Sequence, residues 1–373
     1  MRAIVLVGGQ GTRLQPLTLR TLKQLVPVLN RPLLEHLLLH LRDHGVPRVT
    51  LAMTRHSEAV QHVFGDGSAL GMALDYVYEE TPLGSGGAVA MAAAGWDEPF
   101  LVSNGDVLTD LDITDFIATH ERRGALLSIA LHEVEDPSPF GVVVLDGDDR
   151  ITRFVEKPPR ESAPSRLINA GTWLFDPAVV RELDSSAFNR VEDGLFPTLA
   201  ASGQGIFGYR RDGGFWLDVG NPESYGRANR ELLEGALPRS LPDDWPASSL
   251  AVSGARVAAD ARLTAPVMLG AGTVVGAGTE LTGPLVTGSR CTIGASARVA
   301  RSILWDDVTV KEDATVVDTV LASGSLVEAG AVVEGAIVGH GAIIEAGAHV
   351  PAGSRIGPGR PMAGNEAWMT TTP

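Results

Sequence analysis

Three glycines in four positions, Gly8, Gly9 and Gly11, then Thr12 and Arg13, end the apolar run Ala3–Val7. Glycines let successive backbone N–H groups face an anion with no Cβ in the way, and a guanidinium beside them offers a planar fork to phosphate oxygens. Lys23 follows ten residues after Arg13. Lysine is scarce here: the chain has three, Lys23, Lys157 and Lys311, and the other 27 of its 30 basic residues are arginines. Where arginine fills every ordinary positive position, a lysine marks a need for a compact charge on a flexible stem. Chance survival on a surface describes Lys311 best. Asp106, in Asn104-Gly105-Asp106 after the run Phe100–Ser103, and Asp218, in Trp216-Leu217-Asp218, are carboxylates that could share a cation with phosphate oxygens and waters, the usual shell of Mg²⁺. A lone Gly-Asp more often turns a chain or caps a helix, and Asp112 before Ile113-Thr114-Asp115 reads as such a cap. Glycine clusters are mostly plain turns, and Gly8–Gly11 fits neither G-x-G-x-x-G nor the Walker A pattern.

The net charge is −15, which excludes nucleic acid and anionic membranes as main partners and leaves any anionic substrate to a few local cations. A single cysteine, Cys291, rules out a disulfide framework and a cysteine-rich metal site. Among the nine histidines no metal spacing occurs. His36 and His40 interrupt a leucine-rich helical stretch and read as partly buried helix residues. The first apolar run is too short for a signal segment or a membrane span, so a cytoplasmic protein is expected.

These residues need two kinds of framework. Up to about residue 236, short apolar runs (Ile4–Val7, Val49–Met53, Phe100–Val102, Leu126–Leu131) alternate with helix-like stretches (Leu33–Arg42, Ala88–Ala94, Ile113–Arg122, Glu223–Leu233). This alternation predicts a Rossmann-like α/β domain with a mostly parallel sheet, whose ligands sit beyond the carboxyl ends of the strands. Residues 237–251, rich in proline and serine, read as a linker. Beyond it the period changes. Val257, Leu263, Leu269, Val275 and Leu281 run at six. Val299, Val316, Val333 and Val350 are then spaced by 17, as are Leu304, Leu321 and Val338, and Ile293, Val310, Val327 and Ile344. One inward aliphatic per hexad describes a three-sided solenoid of about six coils over residues 252–358, followed by a tail, 359–373. The hexapeptide pattern resembles the left-handed parallel β-helix.

The run Gly8-Gly9-Gln10-Gly11-Thr12-Arg13-Leu14-Gln15-Pro16-Leu17-Thr18 with Lys23 resembles the signature of the sugar-nucleotide pyrophosphorylases, nucleotidyltransferases acting on sugar 1-phosphates. The strings EETPLGSGGA, SNGDVLTDLD, FGVVV, FVEKP, INAG and FWLDVGNPESY follow in that family's order. The likeness covers nearly the whole chain and is nearest to the mannose-1-phosphate guanylyltransferases. It implies that an NTP and a sugar 1-phosphate give an NDP-sugar and pyrophosphate, with Mg²⁺. By the same resemblance, Leu6, Gly8, Gly9, Gly11, Thr12, Arg13, Glu80, Pro82 and Gly84 bind the nucleotide. Arg13 and Lys23 offset charge on the triphosphate. Asp106 and Asp218 hold the metal. Gly141, Glu156, Asn169 and Gly171 line the sugar pocket, and Lys157 holds the sugar phosphate.

One carboxylate can accept from both adjacent donors of guanine, so Glu80 or its neighbour Glu79 is expected to favour GTP; a solvent-facing acidic pair would look the same. The family usually has Pro-Lys-Pro at the first lysine. Here the string is Leu22-Lys23-Gln24-Leu25, and Lys-Gln-Leu occurs among glucose-1-phosphate thymidylyltransferases. A thymidylyl- or uridylyltransferase, or an enzyme acting on a cyclitol phosphate such as valienol 1-phosphate, therefore remains an alternative. Relatives that serve as non-catalytic regulatory subunits tend to lose the arginine, the lysines or the aspartates, all of which are present here. His340 and His349 lie in the solenoid, and some hexapeptide β-helices are acyltransferases that use a histidine. The solenoid is expected to be structural, joining copies into a homo-oligomer.

Overall fold

The computed structural model describes residues 1–9, 11–210, 213–241, 245–246, 250–251 and 254–362. Much of the expected linker and most of the expected tail, residues 363–373, lie outside the described residues. Up to residue 218 the strands are β1 (Ala3–Val7), β2 (Pro27–Val28), β3 (Arg31–Pro32), β4 (Arg48–Thr54), β5 (Ala73–Glu79), β6 (Phe100–Asn104), β7 (Val107–Thr109), β8 (Leu127–Glu133), β9 (Gly141–Leu145), β10 (Ile151–Glu156), β11 (Leu167–Phe175), β12 (Ile206–Arg210) and β13 (Trp216–Asp218). The helices are α1 (Leu33–Asp43), α2 (Glu58–Phe64), α3 (Gly84–Ala92), α4 (Ile113–Arg123), α5 (Pro177–Val180), α6 (Leu195–Ser202) and α7 (Pro222–Leu233). No described helix is long and apolar enough to cross a membrane.

Two compact units form. One joins Met1–Gly9 to Leu34–Asp218; the other joins the segment from Gln10 to Leu33 with the chain from Val219 onward.

The first unit is built on a nine-stranded sheet whose main path runs β10-β9-β11-β6-β1-β4-β5, with β8 on β11 and β12 on β8. Strands β6, β1, β4 and β5 are parallel, as the strand–helix alternation predicts. Strands β9, β10 and β11 extend the sheet antiparallel on the side of β6. The apolar run of β1 is covered on both faces, which is why it alternates so little: Ala3, Ile4, Val5 and Val7 are all fully buried. From β1 the chain builds outward to β4 and β5 and then returns to β6 on the other side. The carboxyl end of β1 is therefore a switch point, where a crevice opens in such sheets. Helix α4 is capped as its sequence promises, Asp112 accepting from the N–H of Asp115 at 3.0 Å. The expected helix Ala88–Ala94 instead begins at Gly84. His36 and His40 are more enclosed than expected, at 5% and 1% exposure.

In the second unit, residues beyond Leu250 form three parallel sheets of seven, seven and six short strands, one coil more than expected on two faces. These stacked strands are the β-helix the hexads predict. Ile293, Val310, Val327 and Ile344 stack in register, as do Val299, Val316, Val333 and Val350, and Leu304, Leu321 and Val338. All of them point into one core. The shortening from 18 to 17 residues per coil has a local cause. In the shorter coils one corner is turned at Arg301, Asp318 and Gly335, each with a left-handed backbone, φ 47°, 50° and 54°.

Candidate active site

Within the first unit, Gly8 and Gly9 leave the end of β1 exposed. Their reasons for being glycine differ. Gly9 has φ +92°, a conformation side chains rarely adopt. Gly8 lies outside the left-handed region, and among the described residues a Cβ there would meet nothing within 4 Å. Leu6 is half-buried on β1, and its carbonyl accepts from the N–H of Gly105 at 3.0 Å, so the turn carrying Asp106 is tied to the same strand.

That turn joins β6 to β7, and β7 pairs antiparallel with β13. The register sets Asp218 opposite Val107, the residue after Asp106. Strand pairing thus brings together two carboxylates that are 112 positions apart in the chain. Among the described residues no group of three or more His, Cys, Asp or Glu could hold a metal. Two hard oxygen donors, with the remaining ligands left to phosphate and water, is the donor set Mg²⁺ takes, whereas Zn²⁺ would want a fuller set of nitrogen or sulfur. The residues present fit Mg²⁺.

On the strand side, Glu156 at the end of β10 faces Gly141 at the start of β9. A Cβ on Gly141 would sit 2.4 Å from Phe154 Cζ and 3.0 Å from Glu156 Oε2, so this glycine makes room for the carboxylate. Lys157 follows with φ +45°, an uncommon conformation for a residue with a side chain. Its N–H donates to the carbonyl of Phe140 at 3.0 Å, and its exposed ammonium lies 3.3 Å from Glu156. Asn169 accepts through Oδ1 from the N–H of Gly171 at 3.0 Å and from Trp173 Nε1 at 2.7 Å, which fixes the amide. Gly171 has φ +74°, and a Cβ there would strike Asn104 Nδ2 at 2.8 Å.

Two residues that the sequence did not single out complete this group. Arg190 Nη2 lies 3.0 Å from Glu156 Oε1. Trp216 donates from Nε1 to the carbonyl of Ala170 at 2.9 Å and packs edge-on against Phe140 at 5.3 Å. It thereby joins the neighbours of Asn169, Gly141 and Asp218. The only sequence signal for either was proximity: Arg190 stands before Glu192 and Asp193, and Trp216 two positions before Asp218.

Glu79 and Glu80 part company. Glu79 is buried and accepts from the N–H of Leu83 at 2.7 Å, shaping the Thr81–Leu83 turn rather than facing solvent as one of a pair. Glu80 is exposed and ion-paired with Arg55 at 2.5 Å. Hydrogen bonding from Arg55, and then its charge, hold the Glu80 carboxyl below the usual range, so it is ionised and only accepts. Pro82 is exposed beside it. Gly84 has a structural duty: a Cβ would sit 2.4 Å from the Asn189 carbonyl, which accepts from Gly86 N–H at 3.0 Å.

The second unit carries Gly11, Thr12, Arg13 and Lys23. Gly11 opens a single 3₁₀ turn, Thr12–Leu14, with φ +61°. A Cβ there would crowd Thr18 Cγ2 at 3.0 Å and Lys23 Cβ at 3.2 Å, so Gly11 lets the segment fold back on the lysine. Thr12 and Arg13 are exposed, and Lys23 is buried at 7% exposure.

This division of glycines, cations and carboxylates goes with a family match. Residues 2–235 fit the model described as Nucleotidyl transferase. The chain belongs to the nucleotidyl transferase family. Residues 251–358 match the model of the EIF2B subunit epsilon LbH domain, in line with the stacked coils. A mannose-1-phosphate guanylyltransferase of Mycobacterium tuberculosis is 35% identical, over 83% of this nucleotidyltransferase and 81% of its own length. The UTP–glucose-1-phosphate uridylyltransferase of Synechocystis is 30% identical over 82% of this chain and 83% of its own. Among solved structures, HddC from Yersinia pseudotuberculosis complexed with GMP-PN superposes with a TM-score of 0.53 at 26% identity, over 61% of this nucleotidyltransferase and 97% of that chain.

Proposed function

We propose that this nucleotidyltransferase joins GTP to mannose 1-phosphate, giving GDP-mannose and pyrophosphate. The observation that carries the reading is Gly8. A glycine at the switch point of the sheet, with open space among the described residues where a Cβ would stand, suits a place where a nucleotide meets the backbone.

An oxygen of the sugar phosphate bonds to the α-phosphorus. The bond from that phosphorus to the bridging oxygen breaks, and pyrophosphate leaves with the electron pair. The attacking phosphate monoester has a second pKa of about 6, so at neutral pH it is largely dianionic and needs no general base. What remains is to hold two anions in line and offset their charge. Arg13 and Lys23 take the triphosphate and the departing pyrophosphate. Lys157 takes the sugar phosphate, and Glu156 accepts from sugar hydroxyls. Asn169, its oxygen already engaged, offers its NH₂ to the sugar. Mg²⁺ bound by Asp106 and Asp218 would supply further neutralisation of phosphate charge.

For the base, the ionised Glu80 presents two acceptors to the N1–H and exocyclic amine of guanine. The relatives named for guanylyl transfer and the GMP-PN complex of HddC support the same choice. Assembly of copies through the regular faces of the β-helix belongs to this reading. A second reading, uridylyl or thymidylyl transfer to glucose 1-phosphate, is favoured by Gln24 after Lys23 and by the Synechocystis relative.

The test is a pyrophosphate-release matrix of GTP, ATP, CTP, UTP and dTTP against mannose, glucose and cyclitol 1-phosphates, with and without Mg²⁺. GTP with mannose 1-phosphate is expected to turn over fastest. A preference for UTP or dTTP selects the second reading, and no release with any pair discards both.

A further inference from the structure

The segment bearing Arg13 and Lys23 has little structure of its own: three single 3₁₀ turns, Thr12–Leu14, Leu17–Leu19 and Lys23–Leu25, joined by irregular backbone. Such a stretch has no strand ladder to satisfy its carbonyls. Within the second unit the β-helix supplies the partners. Arg355, on the strand Arg355–Ile356, donates from Nη1 to the carbonyl of Gln15 at 3.1 Å and to that of Arg13 at 3.4 Å. His340, just after the strand Ile337–Val338, places its Nε2 3.0 Å from Thr21 Oγ1. Trp305, just after Ile303–Leu304, meets the His340 ring edge-on at 5.2 Å and donates from Nε1 to the Tyr225 hydroxyl at 2.9 Å. Tyr225 donates in turn to the carbonyl of Pro27 at 2.7 Å. The carbonyl of Thr287, on Leu285–Thr287, accepts from Asn30 Nδ2 at 2.8 Å.

These anchors belong to one sheet of the β-helix. Four strand spacings separate the strand of Thr287 from that of Arg355, about 19 Å at the usual ~4.8 Å per step. The anchored groups run along the chain from Arg13 itself, through Gln15 and Thr21 before Lys23, to Pro27 and Asn30 after it. Arg355 holds the peptide of Arg13 itself, and His340 holds Thr21 on the approach to Lys23. The ring of His340 is thus engaged by Thr21 and Trp305, a different use from that of an acyltransferase histidine.

We propose that His340 and Arg355 are positioning residues for nucleotidyl transfer, through which the β-helix holds Arg13 and Lys23 in the geometry that receives the triphosphate. The proposal rests on the roles given to Arg13 and Lys23 above. Misplacing a reacting group by about 1 Å costs up to roughly 100-fold in rate, so loss of these anchors reaches the chemistry without touching a substrate.

The test uses the full chain with the NTP and sugar 1-phosphate pair that turns over fastest. His340→Leu, Thr21→Val and Arg355→Met are each expected to lower kcat or raise KM for the NTP by about tenfold or more. KM for the sugar 1-phosphate and Tm should stay near wild type. His340→Gln, which can still donate and accept, and Arg355→Lys should recover part of the loss. Thr21→Val combined with His340→Leu should be no worse than His340→Leu alone, because the two share one contact. Wild-type kinetics in the folded variants overturn the proposal, as do fully additive losses or a fall in Tm with kinetics unchanged. Should His340→Leu fail to fold, Thr21→Val and Arg355→Met decide. Arg13→Ala and Lys23→Ala separate the two levels. If they retain wild-type turnover, the underlying reading fails; if they abolish it while the anchor variants do nothing, the positioning role alone fails.

Discussion

Arg190 and Glu156 form an ion pair at 3.0 Å, and the same guanidinium lies 3.2 Å from Asp193 and 3.7 Å from Glu192. One arginine thus holds a carboxylate that is only 18% exposed at the end of β10. Ser85 Oγ donates to Glu192 at 2.5 Å, fixing the other side of the cluster. Replacing Arg190 by leucine leaves Glu156 without its guanidinium partner. Steady-state kinetics should show KM for the sugar 1-phosphate rising by about tenfold, the loss of one charged hydrogen bond, with KM for the NTP little changed. An equal rise in both constants would remove Glu156 from the sugar side.

Gly8 and Gly141 make opposite predictions for the same substitution. At Gly141 an added methyl collides with Phe154 and Glu156, so Gly141→Ala should cost about 1–3 kcal/mol and lower Tm. At Gly8 the described residues leave room for a methyl, and alanine loses less entropy on folding. Gly8→Ala should leave Tm unchanged or raise stability by about 0.4–1 kcal/mol. KM for the NTP should nonetheless rise by about tenfold, equivalent to ~1.4 kcal/mol of lost binding. Thermal unfolding and kinetics on the same samples check both.

Chelation should abolish pyrophosphate release, and added Mg²⁺ should restore it. Asp218→Asn should raise the Mg²⁺ concentration for half-maximal rate by about tenfold or more, since even an outer-shell partner is worth roughly 10–100-fold in metal affinity. An unaltered Mg²⁺ requirement in that variant would remove Asp218 from the metal shell.

Acid should weaken the fold in two windows. His120 is buried, with its Nδ1 2.9 Å from Ser128 Oγ. Burial pushes its pKa below 6.5, although Asp176 and Glu121 pull the other way. The unfolded chain therefore binds this proton more readily, and the stability His120 contributes, full above pH 6.5, declines as pH falls through its folded pKa. Asp66, Asp136 and Asp184, each held low first by a serine hydroxyl, lose their contribution only below about pH 4. Tm should step down as pH falls below about 6.5, and His120→Gln should flatten that step while leaving the more acidic one.

How much of this was legible depends on whether a residue repeats or stands alone. The series from Ile293 to Ile344 and from Val299 to Val350 could be read because each coil restates the last, and their burial follows from the period. The strands around β1 were legible as apolar runs between helical stretches. The placing of Asp218 opposite Val107, beside Asp106, was expected only from the motifs, since no local rule sets β7 beside β13. Gly84 shows the converse: its string pointed to a nucleotide, while its immediate neighbour is Asn189. Arg190, Trp216 and the anchors His340 and Arg355 carried no pattern. Their partners lie between 34 and 342 positions away in sequence, and such contacts exist only after folding.

The inclusion of Gln10–Leu33 in the compact unit that begins again at Val219 means that the protein is not modular in the order in which it is written. A truncation after residue 236 would look like a clean excision of a tail, yet it would strip the props from a stretch near the amino terminus. Engineering that shortens, lengthens or swaps the rungs between Thr287 and Arg355 would be felt at Arg13 and Lys23, hundreds of codons upstream.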